Sequence, residues 1–175
     1  RDSDMGLTAQ QLQDGIDALV ACEPLYRPHL DTLGYPEPRS RPPGYETILR
    51  TIVGQQVSTK AAASIWAKLE AGIGDLTNPA VILASDEDAL RACGLSRQKQ
   101  SYARSLAELV VTGELDLDNL PADDEEAIAL LTRAKGIGRW SAEIYLLFAE
   151  GRPDVWPAGD LAVQAGRALL VRQKF

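Results

Sequence analysis

The chain has 175 residues, 45% of them hydrophobic, with two cysteines, one histidine and a formal charge of -7, which suits one sizeable soluble domain or two small lobes sharing a cleft. His29, the only histidine, largely removes zinc chemistry and histidine-based triads. Cys22 and Cys93, far apart and in no metal-ligand spacing, read as reduced, mostly buried thiols. No apolar run approaches the roughly 20 residues of a membrane span and no signal-peptide pattern opens the chain, so a cytoplasmic protein is expected.

In chain order, helical signals dominate and strand signals are nearly absent. Thr8 predicts the N-cap of an amphipathic helix running to about Cys22. A proline-rich loop, "GYPEPRSRPPG" from Gly34 to Gly44, leads to an apolar helix from Tyr45 to Val53. Ser58 caps "TKAAASIWAKLEAG", whose apolar residues recur at helical spacing. Short helices follow at Pro79 to Ala84 and Asp86 to Cys93, the second with a Ser85-to-Asp88 spacing close to a capping box. Ser96 begins "RQKQSYARSLAELVVTG", ended by Gly113, and Pro121 opens "ADDEEAIALLTRA" with its acidic residues in the first turn, where the helix dipole favours them. The expectation is an all-α protein of nine or ten helices without an internal repeat.

Net acidity argues at first sight against a nucleic-acid partner, but the charge is unevenly spread. Residues 1–38 carry 2 basic and 7 acidic side chains and residues 105–132 carry none and 8. Residues 39–104 carry 9 and 6, and residues 133–175 carry 7 and 4. The last two stretches are net basic, which is compatible with a polyanion bound on one face. An uneven solvated surface with no partner fits the same counts.

The second basic stretch contains "AKGIGRWSAEIYLLFAEG", Ala134 to Gly151, in which Gly136 and Gly138 interrupt good helix-forming sequence. A helix-interior glycine costs roughly 1 kcal/mol relative to alanine, so the pair should end one helix and begin another. Helix, Gly136-Ile137-Gly138, helix then reads as a hairpin whose glycines permit positive φ and leave N–H groups uncovered at the second helix's N-terminus, a natural phosphate site. Leu131, Ala134, Ile137, Ala142, Tyr145 and Leu146 are expected to hold the two helices together. A plain αα-turn is the structural alternative.

From Gly44 onward three segments in order, "GYETILRTIVGQQVSTKAAASIW", "GLSRQKQSYARSLAE" and "AKGIGRWSAEIYLLFAEGRPDVWPAGDLAVQ", resemble the helix-hairpin-helix DNA glycosylase superfamily. The likeness is closest to its alkylation-repair branch, the 3-methyladenine DNA glycosylase II type. The resemblance implies an all-α fold of two helical lobes around a cleft, about 45–120 forming one lobe and 1–44 with 121–175 the hairpin-containing lobe, all within a single domain of 1–175. It implies double-stranded DNA with a damaged base as partner, no cofactor or catalytic metal, a monomer, and a monovalent cation at the hairpin. A bacterial protein of this kind would work at the nucleoid.

Site residues follow from the same resemblance. The family's catalytic aspartate falls on Asp160 in "GRPDVWPAGDLAVQ", where a carboxylate stabilises the positive charge that builds on the sugar as the N-glycosidic bond breaks and orients the attacking water. An Asp after Gly and before an apolar helix is also an ordinary N-cap; Asp154 is the second candidate, read as loop-stabilising. Trp140 stands where lyase relatives carry a Schiff-base lysine, and its π-face suits an electron-poor alkylated purine. Ile144 and Tyr145 are the expected pocket wall. Expected DNA contacts are Gly136, Gly138 and Arg139 at the hairpin, Gln55, Gln56 and Ser58 in "GQQVS", with Gln56 as the wedge that fills the space of an extruded base, and Arg97, Lys99 and Arg104 on the following helix. Amide caps for Gln55 and Gln56 and a solvated face for the basic residues are the bland alternatives.

Two departures stand out. The four-cysteine iron-sulfur loop of the endonuclease III branch is absent, and the chain starts at Arg1 and stops at Phe175 where relatives continue with another Trp- and Arg-containing helix, which leaves open segments beyond either end. Three other readings remain at this point: a glycosylase for deaminated bases such as uracil or hypoxanthine, a non-catalytic helix-hairpin-helix DNA-binding module, and a purely structural helical protein.

Overall fold

The computed structural model describes residues 6–172, with side chains through 166. The described residues form ten α-helices, a 3₁₀ turn and no strand: α1 (Ala9–Cys22), the 3₁₀ turn (Pro24–Tyr26), α2 (Arg27–Leu33), α3 (Tyr45–Gly54), α4 (Thr59–Ile73), α5 (Pro79–Ala84), α6 (Glu87–Ala92), α7 (Arg97–Val111), α8 (Asp124–Leu131), α9 (Arg139–Phe148) and α10 (Leu161–Arg172). The all-α class is as expected. No helix among the described residues is long and apolar enough to cross a membrane.

Local chemistry accounts for most helix starts. Thr8 and Gln11 form a reciprocal capping box at α1, the Gln11 N–H donating to Thr8 Oγ1 (3.2 Å) and the Thr8 N–H to Gln11 Oε1 (2.9 Å). Ser58 accepts from the Ala61 N–H (3.2 Å) to start α4, and Ser96 from the Lys99 N–H (3.3 Å) to start α7. Each such cap contributes about 1 kcal/mol. At α6 the cap is Asp86, accepting from the Ala89 N–H at 2.6 Å, rather than the Ser85-to-Asp88 pair; Ser85 instead closes α5, its hydroxyl donating to the Val81 carbonyl (2.8 Å). α8 is shorter than expected, capped by Asp123 and ending at Leu131. The sequence reading placed nothing at Pro24–Leu33. Its prolines lie at the first helical positions of the 3₁₀ turn and of α2, where a missing N–H costs nothing.

Two compact units divide the chain, the first comprising the opening 42 residues with the segment from Leu146 onward, and the second Pro43–Tyr145. The second unit holds most of the core. Leu49, Ile52, Leu69, Ile82, Leu90, Leu95, Leu106, Leu115 and Leu131 are at most 1% exposed, and α3 and α5 pack on α7 while α4 packs on α3 and α6. The hairpin residues belong to this unit, with the helices of 45–120, and not with 1–44 as the lobe expectation had it. Long-range bonds are the reason: the Lys135 N–H donates to Ser105 Oγ (3.2 Å) and Gln55 Nε2 to the Gly136 carbonyl (2.8 Å).

Only Val20, Leu146, Ala149 and Val155 are core hydrophobics among the described residues of the first unit. Its backbone is tied by bonds from the Gly6 N–H to the Ala149 carbonyl (3.4 Å) and from the Arg41 N–H to the Phe148 carbonyl (2.9 Å). The thiols part company. Cys93 is buried, its Sγ donating to the Lys68 carbonyl (3.3 Å), whereas Cys22 is exposed on α1, which corrects the expectation that both are buried.

Candidate nucleic-acid interface and carboxylate

The hairpin forms where the two glycines predicted a break, but they act differently. Gly136 has φ +82°, and a Cβ there would lie 2.2 Å from the Tyr102 ring, so both conformation and packing require glycine. Gly138 lies outside the positive-φ region and a Cβ there meets nothing within 4 Å, which corrects the expectation that both glycines serve positive φ. Its carbonyl accepts from the Ala142 N–H (3.1 Å), so Gly138 is the N-cap of α9. A glycine cap brings no side chain over the N–H groups of the first turn. The six expected packing residues, Leu131, Ala134, Ile137, Ala142, Tyr145 and Leu146, are all buried.

Arg139, the first residue of α9, is paired on both edges of its guanidinium. Nε donates to Glu143 Oε1 at 2.8 Å, while Nη1 (2.8 Å) and Nη2 donate to the two oxygens of Glu125 in α8. The Glu143 side chain is 5% exposed, the Glu125 side chain 68%. Hydrogen bonding from Arg139 holds the Glu125 carboxyl below its ordinary range, and the same two carboxylates push the Arg139 pKa up. Arg139 is thus charge-compensated within the chain. The sequence reading did not find these partners; the i to i+4 spacing of Arg139 and Glu143 was the available signal.

The "GQQVS" turn joins α3 to α4 beside the hairpin. Gln55 ends α3 and spends its amide on the Gly136 carbonyl (2.8 Å); Ser58 is occupied as the α4 cap. Gln56 lies between them, exposed, with φ +56°, the one positive-φ residue other than glycine among the described residues. A left-handed non-glycine costs about 1–2 kcal/mol, strain that the surrounding structure has to hold in place. Lys99 is turned inward. Its Nζ donates to the Val53 carbonyl (2.7 Å) at the end of α3, and burial lowers its pKa, so it supports this turn from below. Arg104 likewise donates to the Leu83 and Ser85 carbonyls. Arg97 is exposed at the first position of α7.

Of the expected pocket residues, Trp140 is 48% exposed in the first turn of α9 and Ile144, one turn on, is half-buried. Tyr145 is only 6% exposed and its hydroxyl accepts the Gly44 N–H at 2.7 Å. Its ring belongs to the core of the second unit, where it anchors the start of α3.

In the first unit, Asp160 is half-buried at the N-cap of α10, where Oδ1 accepts from the Ala162 (2.8 Å) and Val163 (3.2 Å) N–H groups and the carbonyl accepts from the Gln164 N–H (2.9 Å). Two further bonds shape the approach: the Asp160 N–H donates to the Pro157 carbonyl (2.9 Å) and Gln164 Nε2 to the Ala158 carbonyl (2.9 Å). Buried Val155 and Pro157 seat the loop, while Trp156 and Leu161 stand 64% and 80% exposed. Asp154 is exposed in the same loop. Trp156 was not singled out from sequence, although an aromatic residue directly before a loop proline was a readable signal.

Residues 49–170 match the profile of the HhH-GPD superfamily, described as base excision DNA repair proteins. The chain is 36% identical over 134 residues to DNA-3-methyladenine glycosylase 1 of Schizosaccharomyces pombe, an alignment covering 73% of this chain and 58% of that relative. It therefore spans less than two thirds of that relative's length. Its structure is similar to the crystal structure of a DNA-3-methyladenine glycosidase from Bacillus halodurans, with TM-score 0.82, 32% identity and coverage of 89% of this chain and 72% of that one. It is also similar to the S. pombe 3-methyladenine DNA glycosylase solved in complex with abasic DNA, with TM-score 0.69, 33% identity and coverage of 85% and 75%.

Proposed function

Because this chain belongs to the HhH-GPD superfamily of base excision DNA repair proteins, we propose that it is a monofunctional DNA glycosylase that hydrolyses the N-glycosidic bond of alkylated purines of the 3-methyladenine type. The observation that carries the reading is Asp160, a carboxylate at a helix N-terminus in the loop that follows the hairpin. As the bond from C1′ to the purine nitrogen breaks, electrons leave with the base and positive charge builds on the sugar. The Asp160 carboxylate stabilises that charge, and water adds to C1′ through its oxygen and gives up a proton to solvent. The products are a free base and an abasic sugar.

Trp140 supports hydrolysis without strand cleavage. The half-exposed indole suits stacking on a cationic alkylated base, and it has no lone pair with which to attack the sugar. Release of the modified base from methylated duplex DNA, with the strand intact, is the expected result. Borohydride should trap no protein–DNA adduct; an adduct lost on mutating Lys135 would identify a lyase instead.

Phosphates are taken at the hairpin, where Gly138 leaves the first turn of α9 open to close approach. A monovalent cation at the hairpin would have backbone carbonyls as donors, because no cluster of three His, Cys, Asp or Glu suited to a metal occurs among the described residues; none of the proposed steps passes through it. A single copy of the chain suffices for these roles, in keeping with a monomer.

Gln56 is the wedge in this reading, since its strained backbone turns an exposed polar side chain out of the α3–α4 turn. Gln56→Ala should slow excision of a paired damaged base by about 10-fold or more and that of a mismatched one much less, because less unstacking energy remains to be supplied. Equal losses on both duplexes, measured in single turnover, would return Gln56 to a turn-forming role. A glycosylase for deaminated bases predicts uracil or hypoxanthine as the released product, which chromatography of the freed bases distinguishes.

A further inference from the structure

The pairing of Arg139 divides into two unequal halves. Glu143 is buried and grips Nε; an ionised carboxylate in that setting needs its partner, so the contact is a fixed anchor. Glu125 is 68% exposed and takes the terminal Nη1/Nη2 edge with both oxygens. That edge is the fork that fits a phosphate as well as it fits a carboxylate. An exposed pair, even a bidentate one, is hydrated and screened by salt, so its carboxylate can be exchanged for another anion, and Arg139 itself is 58% exposed at the N-terminal end of α9, where the helix dipole also favours an anion.

We propose that Glu125 is a positioning residue that occupies the phosphate-binding edge of Arg139 in the DNA-free protein and yields it to a DNA phosphate on binding. The proposal rests on the DNA-glycosylase reading above. Glu143 keeps the guanidinium at the hairpin throughout, so the exchange needs only rotation of the Glu125 side chain away from it. Until then the acidic first turn of α8, Asp124 to Glu126 with its cap Asp123, opposes the approach of undamaged duplex, and each binding event must displace a carboxylate. Removing Glu125 is therefore expected to strengthen DNA binding, whereas loss of an ordinary structural ion pair would leave it unchanged or weaken it.

The test is fluorescence anisotropy of the full chain with an undamaged duplex and an abasic-site duplex across a salt series. Glu125→Gln should bind both about five-fold tighter at low salt, with the gain fading as screening rises. Glu126→Gln removes the same charge one residue on, at an exposed position that does not touch Arg139, and should change affinity less than two-fold. The Glu125→Gln gain should vanish in an Arg139→Ala background, and its melting temperature should not exceed that of the wild type. Glu125→Gln binding no tighter than Glu126→Gln, or a gain that persists without Arg139, would overturn the exchange while leaving the glycosylase reading intact. Wild-type protein that fails to bind duplex at any salt would remove that reading and the exchange with it.

Discussion

Asp160→Asn is expected to release base from alkylated DNA at least about 100-fold more slowly than the wild type while binding duplex DNA equally well. The loss of one electrostatic stabiliser placed beside developing charge is typically of this size. The substitution is chosen for what it preserves. Asparagine keeps an oxygen to accept from the Ala162 and Val163 N–H groups and caps helices about as well as aspartate, so only the charge is removed. The fall in stability should stay within about 1 kcal/mol, the size of a charge–dipole term at a helix end. Single-turnover base release, duplex affinity and thermal denaturation separate the outcomes. Wild-type excision by the mutant would take Asp160 out of the chemistry, and a large fall in melting temperature together with lost DNA binding would make it a structural cap.

The second large effect sets the two hairpin glycines against each other. Gly136→Ala forces a side chain into φ +82° and against the Tyr102 ring at 2.2 Å. Left-handed strain of about 1–2 kcal/mol and overpacking of about 1–3 kcal/mol together cost about 2–5 kcal/mol. Against a total stability of about 5–15 kcal/mol, that should lower the melting temperature by about 10 °C. In a Tyr102→Ala background the overpacking part of the cost should disappear, leaving the backbone strain. Gly138→Val meets open space and should change stability by no more than about 1 kcal/mol, the range of N-cap exchanges. Its side chain would nevertheless stand over the first turn of α9, so duplex affinity should fall about 10-fold or more and the salt slope should flatten. Normal binding by Gly138→Val would mean that phosphate does not approach there; an unchanged melting temperature for Gly136→Ala would mean that the hairpin can move away from Tyr102.

What could be read along the chain and what could not divides by the reach of the interaction. Thr8 with Gln11, Ser58 with Ala61 and Ser96 with Lys99 bond three residues apart, so the caps, and with them the helix starts, are properties of short segments. The glycine break between α8 and α9 is local in the same sense, as is the placing of Asp160 before α10, which is why the all-α class and the main candidate residues were legible. The missed α2 was also local, since Pro28 sits in its first turn, a position compatible with helix. Tertiary packing decided the rest. Helical periodicity puts Tyr145 on a face but cannot say whether core or ligand meets it, and the structure sets its hydroxyl under the Gly44 N–H, 101 residues away. The Gln55 amide bonds the hairpin across 81 residues and the Lys99 ammonium reaches back 46 to the end of α3, which draws the hairpin into the second unit and turns an expected phosphate contact into a support. Glu125 meets Arg139 across 14 residues. In each case the side chain's type was plain in the sequence, but its partner depended on which distant segments the core brought together. A charged or polar group in a fold is defined by the atoms that satisfy it.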